Sequence, residues 1–145
     1  MGTFTKAAQT AMNERFGHDM LISLATVEGG VPYVRTVNSY YEDGSFYIIT
    51  YALSNKMRQI GENPTVAICG DWFTAHGIGE NMGYIRLPEN EEIAEKLRAA
   101  FAAWYSNGHT NEDDVNTVIL RIRLTTGHLL VHGTSHHIDF TAEKE

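Results

Sequence analysis

The feature that most restricts the fold is a pair of glycine-containing turns, each placed between segments rich in β-forming residues. Glu28-Gly29-Gly30 separates residues 20–27 from residues 31–41, and Glu42-Asp43-Gly44 separates that second segment from residues 45–50. Gly-Gly and Asp-Gly supply the positive φ angles of a tight hairpin, and connections this short join only antiparallel strands. The first part of the chain therefore predicts an antiparallel three-stranded meander.

The remaining elements are predicted from apolar periodicity and composition. Apolar residues three and four positions apart predict helices over residues 4–16 and 89–105. An N-cap at Ser54 and a stop at Gly61 and Asn63-Pro64 predict a short helix over residues 55–60. Runs of β-forming residues predict further strands, with a turn at 125–127, over residues 65–70, 72–78, 117–124 and 128–132. This order is typical of a mainly β, α+β fold, in which a small antiparallel barrel carries flanking helices.

Length and composition restrict the class of protein. The 145 residues carry a net charge of −7 and are 43% hydrophobic, which predicts one domain over residues 1–145 with a sizeable core. An acidic chain of this kind is not expected to bind nucleic acid through phosphate neutralisation. The longest apolar run, residues 47–53, is far shorter than the ~20 residues of a membrane-spanning helix, and no signal peptide is visible. We therefore expect a cytoplasmic protein with no membrane partner.

Three motifs that resemble functional sites are better explained by structure. The Gly77–Gly83 segment imitates a dinucleotide-binding motif, but its third glycine is one residue late and no helix follows, so it predicts a strand end and a turn. The single cysteine, Cys69, lies in an apolar strand and is expected to be buried. Four late histidines lack the converging pattern of metal ligands, the first two lying on a strand and the others in a loop: His128, His132, His136 and His137. No metal site is expected.

One set of residues has a coherent chemical interpretation. Ser54 is a typical N-cap for the second helix, Lys56 lies in its first turn, and Arg35 lies on a neighbouring strand. The free N–H groups and partial positive charge of a helix N-terminus favour an anion such as phosphate, and both cations could reach it. The alternative is that Ser54 is an ordinary cap while Lys56 and Arg35 are solvated.

The order of these motifs resembles a known family. The matching segments are Pro32–Val37, Phe46–Thr50, Ser54–Ile60 and Asn63–Ala67. Together they look like the FMN-binding split-barrel proteins related to pyridoxamine 5′-phosphate oxidase. The resemblance is good over residues 20–80 and weaker to residue 140. It implies an antiparallel six-stranded split β-barrel that forms a homodimer, with FMN bound at the dimer interface.

The resemblance also implies which residues bind the flavin. By position, Arg35, Ser54 and Lys56 would hold the FMN phosphate, and residues 72–76 would approach the flavin of the partner subunit. Asn55 stands where many family members carry a basic residue. The full cofactor-binding set implied in this way is Arg35, Thr36, Val37, Asn38, Thr50, Tyr51, Ser54, Asn55 and Lys56.

The family likeness leaves two kinds of function open. The first is an FMN-dependent oxidoreductase that acts on an unknown small molecule. The second is a non-catalytic flavin-binding protein, or a haem-binding variant using the late histidines, that serves storage, stress or sensing. Vitamin B6 oxidation is not expected, because the family's late Trp and Arg have no counterpart here: the last tryptophan is Trp104 and the last arginine is Arg123.

Overall fold

A computed structural model describes residues 3–145, which form seven strands and three α-helices. In chain order the elements are α1 (Lys6–Phe16), β1 (Met20–Glu28), β2 (Val31–Glu42), β3 (Ser45–Tyr51), α2 (Asn55–Glu62), β4 (Thr65–Gly70), β5 (Phe73–Tyr84), a 3₁₀ turn (Pro88–Asn90), α3 (Glu91–Ala100), β6 (Thr117–Val131) and β7 (Thr134–Asp139).

The strands form one antiparallel sheet that closes on itself. Its order is β3-β2-β1-β4-β5-β6-β7, and an additional pairing of β3 with β6 closes the first six strands into a barrel. Strand β7 pairs with β6 outside this ring. Both predicted hairpins are present, with φ of 57° and 77° at Gly29 and Gly30, and 48° and 84° at Asp43 and Gly44. The predicted six-stranded split barrel is confirmed.

The barrel interior is filled by the inward-facing side chains of alternating strand positions. Ile22 and Leu24 of β1 and Phe46 of β3 are buried there, as the period of two of a β-strand requires. Helix α1 closes the barrel, because Phe16 is fully buried with its ring centroid 5.4 Å from that of Phe46 and 5.2 Å from that of Phe73.

A second apolar layer packs against the outside of β3 and β6. Its buried residues are Ile85, Ala94, Leu97, Phe101 and Ile119. The carboxylate of Glu112 ties this layer together, because it accepts hydrogen bonds from Arg98, Arg86 and the Tyr105 hydroxyl. The indole N–H of Trp104 donates to Asp19 Oδ2 at 2.9 Å, which anchors the layer to the segment that precedes β1.

Two strands continue through segments that were predicted as turns, and in both the glycines are closely packed. Strand β5 continues to Tyr84 through the segment predicted as a turn; a Cβ on Gly79 would lie 2.8 Å from Ile60 of α2. Strand β6 runs through the turn predicted at 125–127, with a bulge at Thr125. A Cβ on Gly127 would lie 2.9 Å from the Phe140 ring. These glycines permit close approach within strands rather than chain reversal.

Three further predictions were wrong in detail. Helix α3 ends at Ala100 instead of residue 105, and turns follow it. Cys69 is exposed, not buried, because its side chain lies on the outer face of β4, opposite Ile68. His136 and His137 lie on strand β7 instead of a loop, since the turn falls at His132-Gly133, where φ is 47° and 82°.

Candidate functional site

Arg35 lies on β2, paired with Leu24 of β1, and its guanidinium is held by three acceptors. Nη1 donates to Thr26 Oγ1 at 2.7 Å and to the Leu24 carbonyl at 3.3 Å. Nη2 donates to Gln59 Oε1 at 3.0 Å. The cation is therefore fixed between strand β1 and helix α2, and is half-buried.

The N-terminus of α2 lies beside this guanidinium. Ser54 caps the helix, its Oγ accepting from the Met57 N–H at 3.5 Å. The N–H groups of Asn55 and Lys56 have no acceptor within residues 3–145, which leaves two first-turn donors available to a ligand. The Lys56 ammonium is half-buried and donates to Thr50 Oγ1 at 2.8 Å.

The two cations share a site without a compensating carboxylate. Among residues 3–145, every lysine and arginine except Lys6, Arg35 and Lys56 has a carboxylate oxygen within 4.0 Å. Lys6 is exposed, whereas the other two are half-buried. Burial lowers the pKa of Arg35, and burial together with the nearby Arg35 charge lowers the pKa of Lys56. Half-buried positive charge of this kind favours an anionic ligand.

The other predicted site residues are spread around this centre. Tyr51 is 44% exposed at the end of β3, and the Asn55 side chain accepts from Arg58 at 3.4 Å. Thr36 and Asn38 lie on the outer face of β2, whereas Val37 faces the same side as Arg35 and packs against the core. The structure thus brings together Arg35, Thr50, Ser54 and Lys56.

Sequence reasoning missed Thr26 and Gln59. Both are buried polar residues, with Thr26 fully buried and Gln59 2% exposed. A signal was present for each: Thr26 occupies an inward position of an otherwise apolar alternation in β1, and Gln59 lies between the buried Met57 and Ile60 in α2.

The late histidines lie on β6, on β7 and in the turn between them, and not on the elements that carry Arg35 and Lys56. His128 and His137 are cross-strand neighbours on β6 and β7, with parallel rings whose centroids are 4.4 Å apart. His128 Nε2 lies 3.0 Å from Ser135 Oγ. Within residues 3–145, no three His, Cys, Asp or Glu side chains are arranged to hold a metal ion. No helix in the same range is long and apolar enough to cross a membrane.

Comparison with known proteins shows the family to which the chain belongs. The family model described as pyridoxamine 5′-phosphate oxidase matches residues 8–130. The chain belongs to the pyridoxamine 5′-phosphate oxidase family. No curated protein matches the chain in sequence.

Three solved structures illustrate how the fold is shared. An FAD-binding protein from Mesorhizobium loti is 16% identical, with a TM-score of 0.65 over 81% of this chain and 90% of that one. A NimC/NimA family protein from Clostridium acetobutylicum is 20% identical, with a TM-score of 0.63 over 90% of this chain and 93% of that one. A haem-binding protein from Mycobacterium smegmatis is 14% identical, with a TM-score of 0.64 over 85% of this chain and 54% of that one. At these identities the likeness shows the fold.

Proposed function

We propose that this member of the pyridoxamine 5′-phosphate oxidase family binds FMN and uses it in redox chemistry on a small molecule. The observation that carries the proposal is the pair of half-buried cations, Arg35 and Lys56, which have no carboxylate partner in residues 3–145 and lie beside the N-terminus of α2. FMN ends in a single phosphate, and one phosphate matches one compact cluster of donors.

Each residue of the cluster has a distinct part in holding the phosphate. Arg35 offers the planar N–H groups that suit bidentate contact with phosphate oxygens, and Lys56 offers a point charge. The free N–H groups of Asn55 and Lys56 add the positive end of the helix dipole. When bound, the flavin supplies the hydride and electron chemistry, and the protein supplies binding and orientation.

A second copy of the chain would complete the cleft around the flavin. The outer face of β1, β2 and β4 supports this proposal, because it combines small side chains with exposed apolar ones. Leu21 is 60% exposed and Val34 is 70% exposed. Ala25 of β1 pairs with Val34 of β2 on one side and with Ala67 of β4 on the other. Exposed apolar surface next to small residues is typical of a surface that packs closely against a partner.

The phosphate site is tested by comparing FMN with riboflavin, which lacks the phosphate. Quenching of flavin fluorescence gives both dissociation constants. Lys56→Ala should raise the FMN dissociation constant about 10- to 100-fold, because a charge-assisted hydrogen bond is worth roughly 1.5–3 kcal/mol, and should leave riboflavin nearly unchanged. Lys6→Ala is the matched control, since Lys6 is an exposed lysine on α1. Equal affinity of the parent protein for FMN and riboflavin would contradict the proposal.

A haem-binding function is the second candidate. It is favoured by the likeness to the haem-binding protein from Mycobacterium smegmatis and by the exposed, stacked His128 and His137 on the outer face. The absorbance spectrum of the freshly purified protein separates the candidates, because flavin bands support the first and a Soret band supports the second. Oxidation of a reduced nicotinamide by the flavin-loaded protein then separates an enzyme from a flavin-storage protein.

A further inference from the structure

We infer that Thr26 and Gln59 are positioning residues, which hold the Arg35 guanidinium so that one of its edges faces the bound anion. The inference rests on the phosphate site proposed above. It concerns two buried polar residues behind Arg35, and it accounts for polar side chains at positions where the alternation of β1 and the apolar face of α2 predict hydrophobic ones.

The three side chains form a closed ring of hydrogen bonds. Thr26 Oγ1 accepts from Arg35 Nη1 at 2.7 Å and donates its own hydrogen to Gln59 Oε1. Gln59 Oε1 also accepts from Arg35 Nη2 at 3.0 Å. The Thr26 hydroxyl thus uses both its donor and its acceptor capacity, so a hydrophobic residue at either position would break the ring.

The ring determines which N–H groups of Arg35 remain available. Both hydrogens of Nη1 are used, one on Thr26 and one on the Leu24 carbonyl, and one hydrogen of Nη2 is used on Gln59. The N–H of Nε and the second N–H of Nη2 have no acceptor within residues 3–145. These two groups lie on the same edge of the guanidinium and form the fork that contacts phosphate oxygens in a bidentate manner.

The orientation of the Gln59 amide is set from its other end. Gln59 Nε2 lies 3.5 Å from Glu28 Oε1, and Glu28 is paired with Arg58. Because the carboxylate faces the amide nitrogen, the amide oxygen is directed towards Arg35. A chain of contacts from the surface pair through Gln59 therefore fixes the guanidinium before any ligand arrives, which reduces the rotamer freedom lost on binding.

The test is a set of titrations with FMN and riboflavin on the full chain. Thr26→Val removes the hydroxyl with little change of shape, and Gln59→Met removes the amide at similar length. Each should raise the FMN dissociation constant by roughly three- to tenfold and change that of riboflavin less than about twofold. Thr26→Ser, which keeps the hydroxyl, should restore the parent affinity. Gln59→Met carries the test if Thr26→Val fails to fold.

A double-mutant cycle separates positioning from a merely structural role. Thr26→Val in an Arg35→Ala background should have no further effect on FMN affinity, because the residue it positions is gone. The inference is overturned if the effects of the two substitutions on FMN affinity add. It is also overturned if Thr26→Val weakens the binding of FMN and riboflavin equally, or if it changes neither dissociation constant.

The same titrations distinguish this inference from the phosphate site on which it rests. If Arg35→Ala and Lys56→Ala leave the ratio of FMN to riboflavin affinity unchanged, the phosphate site itself is wrong. If both variants lower that ratio while Thr26→Val and Gln59→Met do not, the phosphate site stands and the positioning role is wrong.

Discussion

Acid should weaken the attachment of the second apolar layer, which contains α3, by protonating Glu112. The side chain is only 12% exposed and accepts from Arg98 Nη2 at 2.7 Å, Arg98 Nε at 2.9 Å and Arg86 Nε at 3.4 Å, as well as from the Tyr105 hydroxyl. The hydrogen bonds from Arg98, more than any other cause, lower the pKa of Glu112 to about 2, against 4.5 ordinarily. The carboxylate is therefore stabilised in the folded protein.

The size and sign of the effect follow from this difference. A pKa lowered from 4.5 to about 2 corresponds to about 3 kcal/mol at ~1.4 kcal/mol per unit. The Arg98 and Arg86 side chains are partly exposed, so solvent screening reduces this to roughly 2 kcal/mol. Because the folded pKa is the lower one, the stabilisation is complete above pH 4.5 and is lost as the pH falls towards 2.

The assay compares Glu112→Gln with the parent protein by urea unfolding at pH 7 and pH 3. The parent should be more stable by roughly 2 kcal/mol at pH 7. At pH 3 the difference should be less than about half that amount, because the carboxyl of the unfolded chain is then protonated. Glu89→Gln is the matched control, because Glu89 is exposed and has no ion pair within residues 3–145. A stability difference that stays constant between the two pH values would refute the reasoning.

Three further outcomes are expected. Gly127→Ala should lower the free energy of unfolding by about 1–3 kcal/mol in urea, because its Cβ would lie 2.9 Å from Phe140 and 3.0 Å from Phe73, whereas Gly61→Ala has open space and should not destabilise. Light scattering of the FMN-loaded protein should give twice the 16.2 kDa chain mass; a 16.2 kDa species that retains FMN contradicts the shared cleft. The FMN-loaded protein should not oxidise pyridoxamine 5′-phosphate at pH 7.5, because residues 124–145 contain no arginine to hold the substrate phosphate; turnover near ~10 s⁻¹ would contradict this.

Local chemistry explains why the hairpins and the start of α2 could be predicted from the sequence. Gly29-Gly30 and Asp43-Gly44 have the positive φ angles that their residue types favour, and Ser54 caps its helix through its own side chain. Gly127 was misinterpreted because its neighbours Phe73 and Phe140 are distant in sequence. Cys69 was misplaced for a similar reason, since the face of a barrel strand that meets solvent depends on its pairing partners.

The residues of the candidate site could likewise be predicted only in part from the sequence. Arg35, Ser54 and Lys56 carry charges and donors that can be recognised one residue at a time, and the fold places them together. Thr26 and Gln59 have no such individual signature. Their importance lies in hydrogen bonds to Arg35 that form only when β1, β2 and α2 are assembled. No local sequence pattern predicts contacts between these three elements.

Closure of the barrel by β3 and β6 has a consequence for the last strand, β7. The ring of hydrogen-bonded strands is complete without β7, which pairs along one edge with β6 and forms a bridge to Thr3 at Ile138. The hydrogen bonds between the six barrel strands therefore do not depend on β7, although Ile138 of β7 adds to the buried core. A change of sequence or length beyond Asp139 would therefore alter the edge of the sheet at β7 and leave the pairing of β2, which carries Arg35, as it is.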